Sequence, residues 1–192
     1  MKKVITFCLL AGALIAGGMT MEAKTTKKKS KAKKNSNVVK SPVVMGDFDG
    51  DGKLDKIWTE GRYDAEGFAI GDIKLCSDNP KLGGMTWDGL MGVDLINLGK
   101  LGDVSVDLLG VVPYAMSTWC DFNTYVFSDG KWKTAVEPFT VWFGDEDTPL
   151  GVVEAKSGRK GFVGVYFNDM DADDEDMDKI YERQYKEVKL NY

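Results

Sequence analysis

The sequence predicts an all-β protein with antiparallel strands, and three observations carry that prediction. Beyond residue 40 no long stretch repeats its apolar residues at helical spacing; short runs rich in Val, Ile, Phe, Tyr and Trp recur instead. Gly, Asp and Asn separate those runs at close intervals, as turns between strands require. The run Tyr125-Val126-Phe127-Ser128-Asp129-Gly130-Lys131-Trp132-Lys133 reads as a hairpin, because Asp-Gly accepts the positive φ angles of a tight two-residue turn.

Taken from the N-terminus, residues 1–23 have the layout of a secretory signal peptide. Lys2 and Lys3 form the positive end, residues 4–16 the apolar stretch, and Gly17, Gly18 and Ala23 the small residues near cleavage. The apolar stretch is short for a bilayer span. The expectation is therefore export to a secreted or periplasmic location, with no transmembrane segment after cleavage. Residues 24–40 carry eight lysines among Thr, Ser and Asn and almost nothing to bury, which predicts a disordered linker. A lysine run without interleaved aromatics or Arg has no recognition geometry, which favours a solvated tether over one that sticks to anionic lipid or polyanionic glycan, and export makes nucleic acid an unexpected partner.

Residues 41–192 are expected to form one all-β domain. Strands are expected at 42–45, 55–60, 67–75, 107–112, 123–128, 131–136, 139–143, 152–156, 162–167 and 179–190, mostly paired in sequence as hairpins. Pro113 and Pro138 suit strand ends or edges, since proline cannot donate to a ladder. Three cysteines occur, and Cys8 leaves with the signal. An oxidising compartment permits a bridge between Cys76 and Cys120, worth roughly 3 to 4 kcal/mol by loop-closure entropy. Two separately buried thiols are the alternative.

Charge and composition then limit the chemistry. The chain has no His, which removes every Ser-His-Asp and Cys-His nucleophile system, His zinc sites and His general bases. The whole chain has formal charge −5, but residues 41–192 hold 15 Lys and Arg against 29 Asp and Glu, a formal charge near −14. Such a body attracts cations.

Those acids concentrate most informatively in Asp47-Phe48-Asp49-Gly50-Asp51-Gly52-Lys53-Leu54-Asp55. Carboxylates of Asp47, Asp49, Asp51 and Asp55, with the Lys53 carbonyl, can converge on one hard cation while the glycines let the backbone wrap around it. All-oxygen donors on a flexible loop suit Ca2+ better than Mg2+, which demands a near-ideal octahedron. Mutual repulsion is expected to raise the pKa values of these crowded acids in the absence of metal. Leu54, Ile57 and Trp58 suit packing beneath the loop. The twelfth position is Trp58 instead of the bidentate Glu of an EF-hand, and the flanks read as strands.

The run Gly46-Asp47-Phe48-Asp49-Gly50-Asp51-Gly52-Lys53-Leu54-Asp55 resembles the FG-GAP or VCBS calcium loop of integrin-α-type propeller repeats, which recurs in secreted bacterial proteins. The resemblance implies calcium held by Asp47, Asp49, Asp51, Lys53 and Asp55. Residues 98–113 and 123–139 are more loosely similar to small exported proteins of Bacteroidetes-like bacteria. In those, a second Asp-rich loop tends to precede a Gly-(apolar)-Pro strand. Here Lys100, Gly102 and Val104 take the places of Asp47, Asp49 and Asp51, with Asp107 left to answer to Asp55, so this copy is expected to have lost its ion. The chain is too short for a complete propeller. The expected architecture is an antiparallel sheet or compact β-sandwich built from two degenerate propeller-like repeats.

Weaker constellations complete the reading. Asp169, Asp171, Asp173 and Glu175 alternate as ligands of a second cation would, but Met177 falls at the ninth position and glycine is missing from the sixth. A solvated acidic hairpin loop is the preferred reading there. Most of the five Trp should pack in the core or at sheet edges, with Trp87 and Trp119 the candidates for stacking on a sugar ring. A glycoside hydrolase would need two carboxylates, with Asp88 and Asp121 or Glu137 the candidates. Nothing here resembles a catalytic motif, so the expectation is an exported, calcium-binding β module that binds a glycan or a protein surface and assigns no residue a catalytic role.

Overall fold

A computed structural model describes residues 38–143, 151–156, 159–170 and 179–192 of the chain. The expected signal peptide and most of the lysine-rich linker lie outside these residues, as do Asp171, Asp173 and Glu175. The described residues form twelve strands and no α-helix. These are β1 Val38–Lys40, β2 Val44–Gly46, β3 Asp55–Arg62, β4 Ile73–Ser77, β5 Thr86–Trp87, β6 Gly92–Gly99, β7 Leu108–Tyr114, β8 Trp119–Ser128, β9 Lys131–Trp142, β10 Val153–Ala155, β11 Phe162–Phe167 and β12 Gln184–Lys189. Among the described residues no helix is long and apolar enough to cross a membrane.

The strands form three antiparallel sheets taken in chain order: β1 to β5, β6 to β9, and β10 to β12. The protein is thus all-β and antiparallel, as expected. A third sheet follows the two that carry the recognised loops. In the first sheet β1 and β2 lie along the same edge of β3, and the register steps by one residue between the Lys40↔Glu60 and Val44↔Ile57 pairs. Ser41 spans that break: its N–H donates to the Thr59 carbonyl, and its Oγ accepts from the Thr59 N–H. Pro42 follows, where a missing N–H is tolerated.

The second sheet lies between the other two, and its strand β7 is buried on both faces. Strand β7 shows why its sequence is an unbroken apolar run instead of an alternation. Leu108 and Val112 point into a core shared with the third sheet, while Leu109 and Val111 point into a core shared with the first. The same arrangement explains β6, a strand the sequence reading omitted. Val93 and Leu95 belong to one core and Ile96 and Leu98 to the other, so no two-residue period marks it.

Strand β9 unites two segments expected to be separate. Glu137 and the exposed Pro138 bulge opposite Asn123, and Ala135 forms a second bulge before Tyr125↔Thr134. As a result Ala135 and Val136, adjacent in sequence, are buried in the same core. The Asp129-Gly130 turn is as predicted, with φ angles of 54° and 76°. Two expected strands are shorter than read: 67–72 is a turn organised by Asp64, and Lys179–Tyr181 is a 3-10 turn.

Because Leu108 and Leu109 are fully buried in different cores, Leu108→Ala and Leu109→Ala should each cost about 2 to 5 kcal/mol in urea unfolding. The double variant should lose about the sum of the two, since the side chains share no partners.

Candidate metal centre

The 47–54 loop joins β2 to β3, and its shape follows from local chemistry. Gly50 and Gly52 adopt φ angles of 76° and 82°, where a Cβ would be strained. Each aspartate then folds back on the chain. Asp47 Oδ1 accepts from the Gly52 N–H at 3.2 Å, Asp49 Oδ1 from the Asp51 N–H at 3.2 Å, and Asp51 Oδ1 from the Lys53 N–H at 2.8 Å. Phe48 anchors the turn from below; it is fully buried and packs edge-on against Trp132. Leu54, expected beneath the loop, is exposed; Ile57 is fully buried in the core below, as expected, whereas Trp58, next to it on β3, lies on the opposite face, where its indole N–H donates to Glu60 and Lys40 lies over its ring.

This folding brings carboxylate oxygens of Asp47, Asp49 and Asp51 within 4.8 Å of one another. The Asp47 and Asp49 side chains are 11% and 5% exposed. Each Oδ2 faces an ammonium group: Asp47 meets Lys100 at 2.9 Å, Asp49 meets Lys81 at 3.4 Å and Asp51 meets Lys53 at 3.5 Å. Asn79 Nδ2 adds bonds to Asp49 Oδ2 at 3.0 Å and Asp55 Oδ1 at 2.8 Å. Of the other expected ligands, Asp55 falls outside this 4.8 Å group. Asp55 uses Oδ2 to accept the Phe48 N–H and Oδ1 to accept Asn79, so both oxygens close the loop. The Lys53 side chain is exposed and its ammonium lies beside Asp51, while its N–H donates to the same carboxylate.

At Asp47 and Asp49 the expected rise in carboxyl pKa is reversed. The hydrogen bond from Lys100 holds the Asp47 carboxyl below its usual range, overcoming the burial that would raise it, with help from backbone N–H groups of Gly52 and Gly50. For Asp49 the Asn79 amide is the main cause, again against burial, with the Asp51 N–H and Lys81 assisting. The Lys100 ammonium is raised in turn, chiefly by its bond to Asp47. Asn79, Lys81 and Lys100 were not among the expected site residues. Asn79 caps, and Lys81 lies within, the 3-10 turn Pro80–Leu82 after β4, with the Asn79 side chain accepting from the Lys81 N–H.

The second loop, residues 100–107, supports the first. Asp107 Oδ2 accepts the Asp47 N–H at 2.8 Å, the Asp107 N–H donates to the Asp47 carbonyl at 2.9 Å, and Asn97 Nδ2 bonds both Asp107 Oδ2 and the Met45 carbonyl. Asp107 therefore ties two loops together and does not play the part of Asp55. Lys100 does fall where an ion-ligating acid would stand, and its ammonium reaches into the first loop.

The remaining candidates are dispersed. Trp87 packs against the core between the first and second sheets. Trp119 is half-buried, lies beside Tyr181 at 5.8 Å, and lines a cleft of about 270 Å³ with Asp121, Thr140 and Pro113. Cys76 and Cys120 are free thiols on different sheets, Cys76 on β4 and Cys120 facing the core shared with the third sheet, so the bridge is not formed. Asp88, Asp121 and Glu137 are all exposed and lie in the β5–β6 connection, β8 and β9. Comparison of the chain with protein-family models, curated proteins and solved structures yields no match.

Asp47 and Asp49 keep their charge to lower pH in the folded protein than in the unfolded chain. Their stabilising contribution is complete above the ordinary carboxylate range and is lost as pH falls through their depressed values. Melting temperatures followed downward from pH 7 should drop most steeply below about pH 4, with a shallower slope in Asp47→Asn and Asp49→Asn.

Proposed function

We propose that this protein is an exported β module whose Asp47, Asp49 and Asp51 carboxylates hold a calcium ion, and whose folded body binds a glycan or protein surface. The observation that carries the metal reading is the convergence of three carboxylates, two of them nearly buried, on one 4.8 Å neighbourhood. The donors fit the ion. Each carboxylate has one oxygen fixed by the backbone and a second oxygen directed at a lysine ammonium. Those lysine side chains are 49%, 68% and 83% exposed at Lys100, Lys81 and Lys53, with solvent available to replace their bonds. A divalent cation can supply the same compensation with a single, more concentrated charge.

Oxygen donors without thiolate or imidazole favour a hard cation, and a loop with two left-handed glycines tolerates the larger, less regular shell of calcium. Calcium here would be structural, fixing the start of β3 and adding stability with the logarithm of its concentration over Kd. The resemblance of the loop to FG-GAP and VCBS repeats, and the signal-like residues 1–23, support the exported setting. On the ligand side, the Trp119 cleft with Trp142 and Tyr181 beside it offers aromatic faces at one end of β8 and β9.

Thermal melts test the metal reading. At a hundredfold excess over Kd, calcium should add about 2.7 kcal/mol, a rise of about 5 to 10 °C for a domain of this size. EGTA should reverse it, magnesium should give less, and Asp49→Asn with Asp51→Asn should abolish it. An unchanged melting temperature in the wild type would remove the basis of the proposal.

A further inference from the structure

One connection from each sheet forms part of a continuous ridge. The loop before β3 bonds to the loop before β7 through Asp47, Asp107 and Lys100. The loop before β7 bonds in turn to the loop before β11, where the Gly161 N–H donates to the Gly102 carbonyl at 2.9 Å. Charge changes sign along the ridge. Asp47, Asp49 and Asp51 stand at one end, and Lys156, Arg159 and Lys160 at the other.

Between the second and third loops lies a cavity of about 470 Å³ lined by Lys100, Lys156, Arg159 and Lys160, with Asp103 its one acidic lining residue. In a body of formal charge near −14, four cations around one space oppose the average field. Their local compensation is incomplete. Lys156 and Arg159 share the single carboxylate of Glu187, at 3.2 and 2.7 Å. No ion pair occupies Lys160 among the described residues. Two of the cations are also held in place from behind: the Arg159 guanidinium lies 3.7 Å from the centre of the Phe162 ring, and Lys156 Nζ lies 5.4 Å from that of Tyr185. The wall beneath is tight. Gly102 has φ 63°, and a Cβ there would stand 2.5 Å from Leu190 Cδ1 and 3.3 Å from the Phe162 carbonyl.

We infer that this cavity binds an oxyanion, a sulfate, phosphate or carboxylate group carried free or on an acidic sugar, and that Lys100 links it to the acidic loop. Arg159, Lys156 and Lys160 supply charge-assisted hydrogen bonds from one side and Lys100 from the other. Lys100 is shared: its ammonium bonds Asp47 Oδ2 and also lines the cavity. A cation at the Asp47 loop competes for that oxygen and returns the ammonium to the cavity. Each ligand then raises the affinity for the other by the same factor. This linkage, unlike the oxyanion site itself, rests on the metal reading.

The test is a titration of the full chain with sodium sulfate and with inorganic phosphate at constant ionic strength, followed by the amide resonances of Gly102 and Gly161. Saturable shifts are expected, with Arg159→Ala plus Lys160→Ala weakening binding about tenfold or more and Lys74→Ala, on β4 of the first sheet, leaving it unchanged. The lysine-rich linker is present in every variant, so the difference between them reports the cavity. In millimolar calcium the wild type should bind sulfate several-fold more tightly than in EGTA, and Lys100→Met should lose that calcium dependence. Heparin and polygalacturonate, titrated likewise, separate a sugar-borne oxyanion from a free one by whether the same two substitutions weaken them.

Absence of saturation, or equal binding by the Arg159 and Lys160 double variant, overturns the oxyanion site whatever calcium does. Sulfate binding that ignores calcium, in protein that calcium stabilises, overturns the Lys100 link. Sulfate binding in protein that calcium does not stabilise overturns the metal reading and supports the cavity alone.

Discussion

The burial of β7 on both faces is the constraint from which the rest of the architecture follows. A strand with no solvent face must be covered twice, and the first and third sheets supply the two covers through separate cores. Neither cover could be removed without exposing fully buried side chains on β7. The loop entering β7 is consequently pressed between its counterparts from the flanking sheets. That is why Asp107 and Lys100 bond the first loop while Gly102 bonds the third. The candidate metal centre and the cationic cavity are neighbours for the same reason.

Electrostatics at this ridge is a matter of compensation at short range. Three carboxylates close enough to share an ion repel one another, and burial of two of them sharpens the penalty. The protein answers with backbone N–H groups on one oxygen of each and ammonium or amide groups on the other. The result lowers the Asp47 and Asp49 carboxyl pKa values where an isolated cluster would raise them. Asp47 and Asp49 are therefore charged and oriented at neutral pH, each beside the ammonium of a lysine whose long stem is exposed.

Much of this was legible in the chain, and the legible part has a common character. The Asp47 to Asp51 triad could be recognised because its three ligands alternate within five consecutive residues, where spacing alone brings them together. The Asp129-Gly130 hairpin was readable for the same reason. Strand β6 escaped because both of its faces are packed, which erases the two-residue alternation that marks a half-buried strand. The two segments of β9 were separated at Pro138, which a bulge accommodates on an exposed position. Asp55 looked like a ligand by spacing, yet it lies outside the group of converging carboxylates, accepting instead from the Phe48 N–H and from Asn79.

Composition and local order by themselves determined that the folded part is built of antiparallel strands, that it lacks imidazole chemistry, and where its acids crowd into a tight bend. Only the tertiary structure decided which groups face those acids. Asn79, Lys81 and Lys100 come from after β4 and after β6, and sheet packing alone sets their approach to the loop. The physical reason is one of range. Turn geometry acts over a few bonds and is written in adjacent residues, whereas charge pairing across sheets depends on which strand lies beside which, and on which faces are buried.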